Sequence, residues 1–330
     1  MKAKNSDIDT AVKKFLLENG IPFQEYCPLS SKTWIRRGGD ARFYIEPQNS
    51  DMLVSVCSFC IANGIKYKVL GHTSNVYLKS SYRPYLVIST RGCNHFSFEG
   101  NQIICECGAP VSAVAKEAVR LGLSGLEYIT SLPGTIGGAV YNNSSSKSSS
   151  VSSLLSKAEI VDEYGKIEML LQKDFHFRFR DSDLKSGSKK VTLVRVWLIC
   201  QNANPEDLLQ LSCQHDEFRR INLESGYQNL GCTVNRPFCL GKMPIKYFTP
   251  IGLATKSYDL FVKNPIKRTT FLRNVSTFFY GKPVLARYIS PKSLLTFKWV
   301  DEKADLYFET YLAFMRDVFM TDKMEIEVFE

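Results

Sequence analysis

Two short segments of this sequence combine glycine with small polar residues in the way that phosphate-binding loops do. The first, Leu70-Gly-His-Thr-Ser-Asn75, follows a strand-like run; the second is Pro133-Gly-Thr-Ile-Gly-Gly138. Glycine allows positive φ and close approach of the backbone to a ligand, and successive amides make a nest for an anion. Neither segment fits the G-x-G-x-x-G dinucleotide fingerprint, and neither carries the Lys-Ser/Thr of a P-loop. Either alone is a weak signal, since such loops often only turn the chain. Set about sixty residues apart in an α/β frame, they suggest one ligand pinned between two loops.

Ten cysteines raise a metal reading, with Cys57 and Cys60 as a CxxC and Cys105 and Cys107 as a CxC. Zinc favours ligand pairs that lead out of tight turns. Cys57 and Cys60 lie instead inside a helical run from Asp51 to Asn63, where positions i and i+3 share a face. Ile103 to Cys107 alternates like a strand, so Cys105 and Cys107 point the same way. In a reducing compartment such thiols pack as small apolar groups. No metal is expected.

The elements that must position the two loops follow from periodicity. A helix is expected over Ile8–Asn19, a strand over Phe43–Pro47, the helix Asp51–Asn63 and a strand over Lys66–Leu70, which together make a βαβ pattern. A strand over Tyr85–Thr90, strand-like pieces around 93–108 and a helix over Val111–Leu121 lead to the second loop. Eight serines among residues 144–153 read as a flexible surface loop. Strands resume at Ala158–Val161 and Thr192–Leu198. Then come a helix over Pro205–Asn222, Gly/Pro-rich linkers through 250 and a mixed tail. The tail holds a helix over Asp305–Phe319 and a terminal strand over Lys323–Phe329.

At 330 residues the chain suits two or three packed units. With 44% hydrophobic and 23% charged residues, it is neither disordered nor fibrous. No apolar run approaches the ~18 residues of a membrane span. The first residues, Met1-Lys-Ala-Lys-Asn-Ser-Asp7, lack the apolar stretch of a secretory signal, so a cytoplasmic address and no membrane partner are expected. A net charge of +9, spread along the sequence, suits phosphate handling but is far from a nucleic-acid footprint. No nucleic-acid partner is expected.

At the two loops the sequence resembles the bacterial UDP-N-acetylenolpyruvoylglucosamine reductases, FAD enzymes that make UDP-N-acetylmuramate for peptidoglycan. Thr33-Trp-Ile-Arg-Arg-Gly-Gly-Asp-Ala41 is similar to that family's threonine and Gly-Gly-x-Ala opening. Val69 to Asn75 resembles its Gly-Gly-Gly-Ser-Asn flavin loop. Leu123 to Glu127, Pro133 to Val140 and Asn143 resemble its most recognisable block. Phe179-Arg-Asp-Ser182 resembles its Tyr-Arg-Asp-Ser motif, and Gly231-Cys-Thr-Val-Asn-Arg-Pro237 its Gly-Ser-x-Phe-Lys-Arg/Asn-Pro segment. Ile289 to Ser293 and Glu325 to Val328 resemble Val-Ser-Pro-Lys-His and Glu-x-x-Glu-Val.

The resemblance implies an α+β protein with an FAD-binding type fold. Two α/β subdomains, residues 1–70 and 71–200, bind the flavin, and a C-terminal substrate-binding domain, residues 201–330, returns its last strand to the active site. It also implies FAD and NADPH as cofactors, a small nucleotide-sugar substrate and a monomer. Gly71, His72, Thr73, Ser74, Asn75, Pro133, Gly134, Thr135, Gly137, Gly138 and Asn143 take the cofactor-binding positions, and Asn235 and Arg236 face the substrate. Arg180, Cys232 and Glu327 take the catalytic places. In the family's reaction, hydride reaches C3 of an enolpyruvyl ether and negative charge develops towards its carboxylate. Arg180 suits that charge because a guanidinium is always protonated and grips carboxylates in a fork. A partly desolvated Glu327 can stay protonated and support the enol. Cys232 stands where the family has its proton-donating serine, and a thiol with an ordinary pKa of about 8.5 is the stronger acid.

The sequence departs from the family at several of these places. His72 and Thr73 replace loop glycines, and Asn143-Ser-Ser-Ser-Lys147 replaces Asn-Ala-Gly-Ala-Tyr-Gly. Phe179 replaces a tyrosine, Asn235 a lysine and Ser293 a histidine, and residues 249–282 match poorly. Two alternatives therefore stand beside the reductase. One is a sugar or alcohol oxidase of the same wider fold, for which His72 is the only suggestive residue. The other is a catalytically lost homologue that binds flavin or a nucleotide sugar.

Overall fold

The computed structural model describes residues 2–146, 149–224, 226, 228–234, 245–260, 262–321 and 323–330. The backbone falls into two compact units that interleave in sequence. The first comprises Met1–Leu29, Asp40–Thr73 and Arg83–Asp216; the second comprises Ser30–Gly39, Ser74–Tyr82 and Glu217–Glu330.

The first unit begins with α1 (Lys2–Glu18), β1 (Phe23–Pro28), β2 (Asp40–Ile45), α2 (Ser50–Ala62) and β3 (Tyr67–Leu70). After β4 (Val76–Leu78), which belongs to the second unit, β5 (Leu86–Ser89) inserts parallel between β2 and β3, giving the order β1-β2-β5-β3. The βαβ pattern is therefore real, with β5 as its middle strand. The Asn49 side chain accepts a hydrogen bond from the Met52 amide at 2.9 Å and so caps α2. Arg42 fastens α1 to this sheet. Its guanidinium donates to Asp9 and Glu25, each at 2.8 Å, and lies 4.0 Å from the centre of the Tyr26 ring.

The rest of the first unit runs through β6 (Phe96–Glu99), β7 (Gln102–Glu106), α3 (Val111–Arg120), β8 (Leu123–Ser124), α4 (Ile136–Tyr141), β9 (Ser145–Ser146) and β10 (Ser149–Ser150). β11 (Leu155–Val161), β12 (Ile167–Leu171), β13 (Thr192–Ile199) and β14 (Gln201–Asn202) follow. An antiparallel sheet of order β12-β11-β13-β7-β6 packs with α2, α3 and α4 in one apolar cluster, which includes Leu53, Ile103, Val114, Ile136 and Val196. Cys57, Cys60, Cys105 and Cys107 belong to that cluster. Burial pushes the Cys57 thiol up to about 11 and those of Cys60 and Cys105 up to about 12. They are core thiols.

The serine-rich stretch corrects the sequence reading. β9 and β10 pair antiparallel, Ser150 opposite Ser145, and residues 151–153 form a 3-10 turn with Val151 fully buried. The Val151 amide donates to the Ser144 carbonyl at 2.9 Å. One apolar residue among the serines anchors the segment, and a buried backbone must pair its polar groups.

The second unit contains β4, the end of α5 (Pro205–Asn222), α6 (Ile245–Asp259), α7 (Pro265–Phe279), α8 (Ala304–Phe319) and β15 (Glu327–Phe329). Its core is aromatic and centred on Phe297, whose ring lies 4.9 Å from Trp299, 5.1 Å from Tyr311 and 5.3 Å from Phe308. Of the linkers expected through 250, residues 235–244 lie outside the described residues and residues 245–250 belong to α6. Pro250 sits within α6 without ending it. Asn264 caps α7 and Pro265 occupies its first turn, where a missing N–H costs nothing.

Gly108 holds the end of β7 against the chain before β6. Its amide donates to the Cys93 carbonyl at 2.9 Å, and a Cβ there would lie 1.7 Å from the Thr90 carbonyl oxygen. Backbone cannot yield as a flexible side chain does. Gly108→Ala is expected to cost at least about 3 kcal/mol, read from the urea midpoint. An unchanged midpoint would show that the Thr90 segment moves freely.

Candidate functional site

Within the first unit the two glycine loops touch. A Cβ on Gly71 would lie 2.6 Å from Thr135 Oγ1, so the backbone of one loop rests directly on a side chain of the other. Thr135 also caps α4, its hydroxyl accepting from the Gly138 amide at 3.2 Å. The Ile136 amide donates to the Ala109 carbonyl at 2.8 Å and the Gly137 amide to that of Cys107 at 2.7 Å. This corrects the nest reading for the second loop, because the amides of 136, 137 and 138 are spent inside the protein. Gly137 is needed for space, since its Cβ would meet the Cys107 oxygen at 2.8 Å.

The donors left for an anion lie elsewhere on the loops. Among the described residues, the amides of His72, Gly134 and Thr135 have no protein partner. The pyrophosphate of a flavin dinucleotide suits such donors, and the missing Cβ of Gly71 is what lets the loops meet. The residues fit FAD. Burial, and secondarily the Arg91 guanidinium, hold the His72 imidazole below the ordinary histidine range, so His72 is neutral at neutral pH. Arg91 Nη2 also reaches the His72 carbonyl at 3.5 Å.

Asn143 lies at the end of α4 with φ 44° and is buried. Its Nδ2 donates to the Arg178 carbonyl at 2.9 Å, and its Oδ1 accepts from the Ser152 amide at 3.2 Å. It therefore knits the serine-rich turn to the segment that carries Arg180. Arg180 itself is half-buried with φ 56°, in a turn closed by hydrogen bonds between the Arg178 and Asp181 backbones at 3.0 and 3.1 Å. Ser182 pins the turn from below, its hydroxyl donating to the Tyr141 carbonyl at 2.7 Å.

The second unit carries Ser74, Asn75, Cys232 and Glu327. Asn75 Nδ2 donates to the Glu325 carbonyl at 3.2 Å, and the Asn75 carbonyl accepts from the Glu327 amide at 3.0 Å. β15 then continues parallel to β4, with Glu327 opposite Val76. On the other side, the Glu325 amide donates to the Thr233 carbonyl at 2.9 Å. Half-buried Cys232 precedes Thr233. Asn75, Cys232 and Glu327 thus stand on neighbouring backbone segments. Asn235 and Arg236 lie outside the described residues.

Sequence reasoning missed two supports. Thr233 is fully buried; its amide donates to Leu295 at 2.7 Å and its hydroxyl accepts from the Phe297 amide at 3.1 Å. Nothing in a lone threonine announces that. Lys292, in the Ser-Pro-Lys stretch, donates to the carbonyls of Arg220 and Leu223 at 2.8 and 3.2 Å. A cation at a helix C-terminus is a readable signal once the helix end is known.

Thr73 has φ 57° and is buried, a conformation that costs a residue with a Cβ about 1–2 kcal/mol. Replacing it should invert the usual order of small residues. Thr73→Gly is expected to be more stable than Thr73→Ala by about 1 kcal/mol in chemical denaturation, because alanine keeps the Cβ in the left-handed region. The ordinary order, alanine above glycine, would mean that the loop relaxes to negative φ.

Residues 41–170 match the FAD binding domain family. The chain is 32% identical over 225 residues to UDP-N-acetylenolpyruvoylglucosamine reductase of Caldicellulosiruptor bescii, covering 68% of this chain and 71% of that protein. It is 30% identical over 194 residues to the same-named protein of Bacillus subtilis, covering 58% and 64%. Its fold matches the crystal structure of UDP-N-acetylenolpyruvylglucosamine reductase from Thermus caldophilus with a TM-score of 0.66 at 19% identity, over 94% of this chain and 99% of that one. The α+β, FAD-binding type fold expected from the motifs is the fold observed. By sequence and by fold, the chain belongs to the UDP-N-acetylenolpyruvoylglucosamine reductase family.

Proposed function

We propose that this chain is an FAD-dependent, NADPH-driven oxidoreductase that reduces the enolpyruvyl ether of UDP-N-acetylglucosamine enolpyruvate to UDP-N-acetylmuramate, a peptidoglycan precursor. The observation that supports it is the hydrogen-bonded chain Asn75–Glu325–Thr233, which joins the segments bearing Cys232 and Glu327 to Asn75. Gly71–Asn75 with Pro133–Gly138 hold the flavin. Asn143 acts by fixing the turn beside them. Residues 1–70 and 71–200 serve the cofactor and 201–330 the substrate, with Asn235 and Arg236 as substrate contacts. The enzyme works in the cytoplasm as a monomer.

FAD, when bound, supplies the hydride it takes from NADPH. The protein does the rest. Arg180 grips the substrate carboxylate and stabilises the negative charge that develops there, an interaction stronger in the transition state than in the ground state. Glu327, half-buried on β15, holds a proton towards the enol oxygen. Cys232 delivers the proton to C2, and its half-buried setting keeps the thiol reachable from the substrate side. The net change adds one hydride at C3 and one proton at C2.

An anaerobic titration tests this reading. NADPH is expected to bleach the visible band of the FAD-loaded protein, and UDP-N-acetylglucosamine enolpyruvate to restore it. A band that bleaches and stays bleached would assign a different acceptor, such as a related nucleotide sugar. Oxygen uptake with a sugar or alcohol and no NADPH would favour an oxidase. A preparation that stays colourless after incubation with FAD would favour a binding protein. Cys232→Ala is expected to slow the re-oxidation step ~10²–10⁴-fold while leaving bleaching by NADPH unchanged. A loss below about tenfold removes Cys232 from the proton transfer.

A further inference from the structure

A count by segment corrects the reading of a charge spread along the sequence. Residues 245–287 contain eight Lys or Arg and one Asp, a net of +7 against +9 for the whole sequence. These residues form α6, α7 and the turn after them. Arg268 is paired with Asp259 at 2.8 Å, and Arg287 with Asp301 at 2.8 Å. Lys256, Lys263, Lys267 and Lys282 are exposed, with no ion-pair partner among the described residues. Their charge is turned outward.

Large apolar side chains accompany these lysines on convex helix surfaces. On α6, Leu253 is 62% exposed, and Leu260, just past its end, is 75% exposed; Lys256 falls between them at helical spacing. On α7 the outward stripe runs from Lys267 through Asn274 to Phe278, which is 66% exposed. Phe279 and Val284 flank it on either side of Lys282 and are also exposed. α6 and α7 are braced together by the stacked rings of Tyr258 and Phe271, 4.0 Å apart. The apolar groups are therefore held out by structure.

We infer that the α6–α7 hairpin is a docking surface for an anionic lipid bilayer. Charge complementarity selects the partner's sign, since each unpaired lysine near such a surface strengthens binding about fivefold. The protruding Phe and Leu side chains select its kind, because a fluid interface accepts convex apolar groups where a folded partner must supply a matching pocket. No helix among the described residues is long and apolar enough to cross a membrane. The contact is with a surface.

Co-sedimentation of the full FAD-loaded chain with vesicles tests this directly. Vesicles of mixed phosphatidylglycerol and phosphatidylcholine are expected to carry the protein at about 50 mM salt and release it at about 500 mM, and phosphatidylcholine alone not to carry it. The double variant Lys267→Glu/Lys282→Glu is expected to lower partitioning at least about a hundredfold. Phe278→Ser is expected to lower it about tenfold by removing buried apolar area. All these residues are exposed, so unchanged flavin absorbance and circular dichroism confirm intact folds. Failure to sediment with anionic vesicles at low salt would overturn the inference. Equal retention of the parent and Phe278→Ser would also overturn it, leaving general attraction to polyanions such as nucleic acid. So would a dimer in light scattering that is lost with Phe278→Ser, since a second copy would then cover the surface.

Discussion

The flavin side of this molecule depends on a backbone contact with no side chain in it, the Gly137 amide against the Cys107 carbonyl at 2.7 Å. Its net worth as a hydrogen bond is only about 1 kcal/mol. Its geometric consequence is larger. It fixes where α4 starts relative to β7, and together with the Ile136 and Gly138 bonds it consumes the donors that a helix N-terminus ordinarily offers an anion. Donation passes to the loop ahead of the helix and to the loop after β3, and these must then lie side by side. The contact between Gly71 and Thr135 meets that requirement.

The second unit solves a different problem, which is to hold the segments that carry Cys232 and Glu327 in register with Asn75. Thr233 shares its amide, carbonyl and hydroxyl among Leu295, Glu325 and Phe297, and Asn75 binds both sides of Ile326. All of these bonds end on backbone atoms. The segments that carry Cys232 and Glu327 are therefore located by hydrogen bonds to backbone atoms. Precise placement of this kind is where much of a catalyst's advantage over solution originates.

Much of this was legible in the sequence, and the illegible parts share a cause. The helices with clean periodicity, such as Pro205–Asn222 and Asp305–Phe319, appear within a residue of expectation. The buried thiols were readable because spacing alone put each pair on one face. Helices α6 and α7 were not read, since the chain through 250 was taken as Gly/Pro-rich linker and the tail after it only as mixed, although Asn264-Pro265 is a start signal for α7. The serine-rich stretch was misread because composition outvoted one residue, Val151. At the site, a pairing of the two glycine loops was readable, and Gly71 does lie against Thr135, but the allocation of their amides was not. Which donors remain free depends on Cys107 and Ala109, far from the loops in sequence.

The loop substitutions relative to the family follow from the same accounting of space. Glycine can be required for two separate reasons, because a Cβ has no room or because φ is positive. At Gly71 and Gly137 a Cβ would lie within 2.9 Å of Thr135 or Cys107 atoms, and the chain keeps glycine at both. At Thr73 the constraint is conformational, with φ 57°, and its cost of about 1–2 kcal/mol is one that a folded domain can absorb. The chain has given up glycine there. Strain that persists needs surroundings that over-determine it, and Thr73 is buried at the residue where the first unit ends and the second resumes. A side chain at 73 stiffens a loop whose next two residues lead into β4, the strand paired with β15, where glycine would leave it loose. The departure that looks most damaging to a flavin loop is thus compatible with a working one.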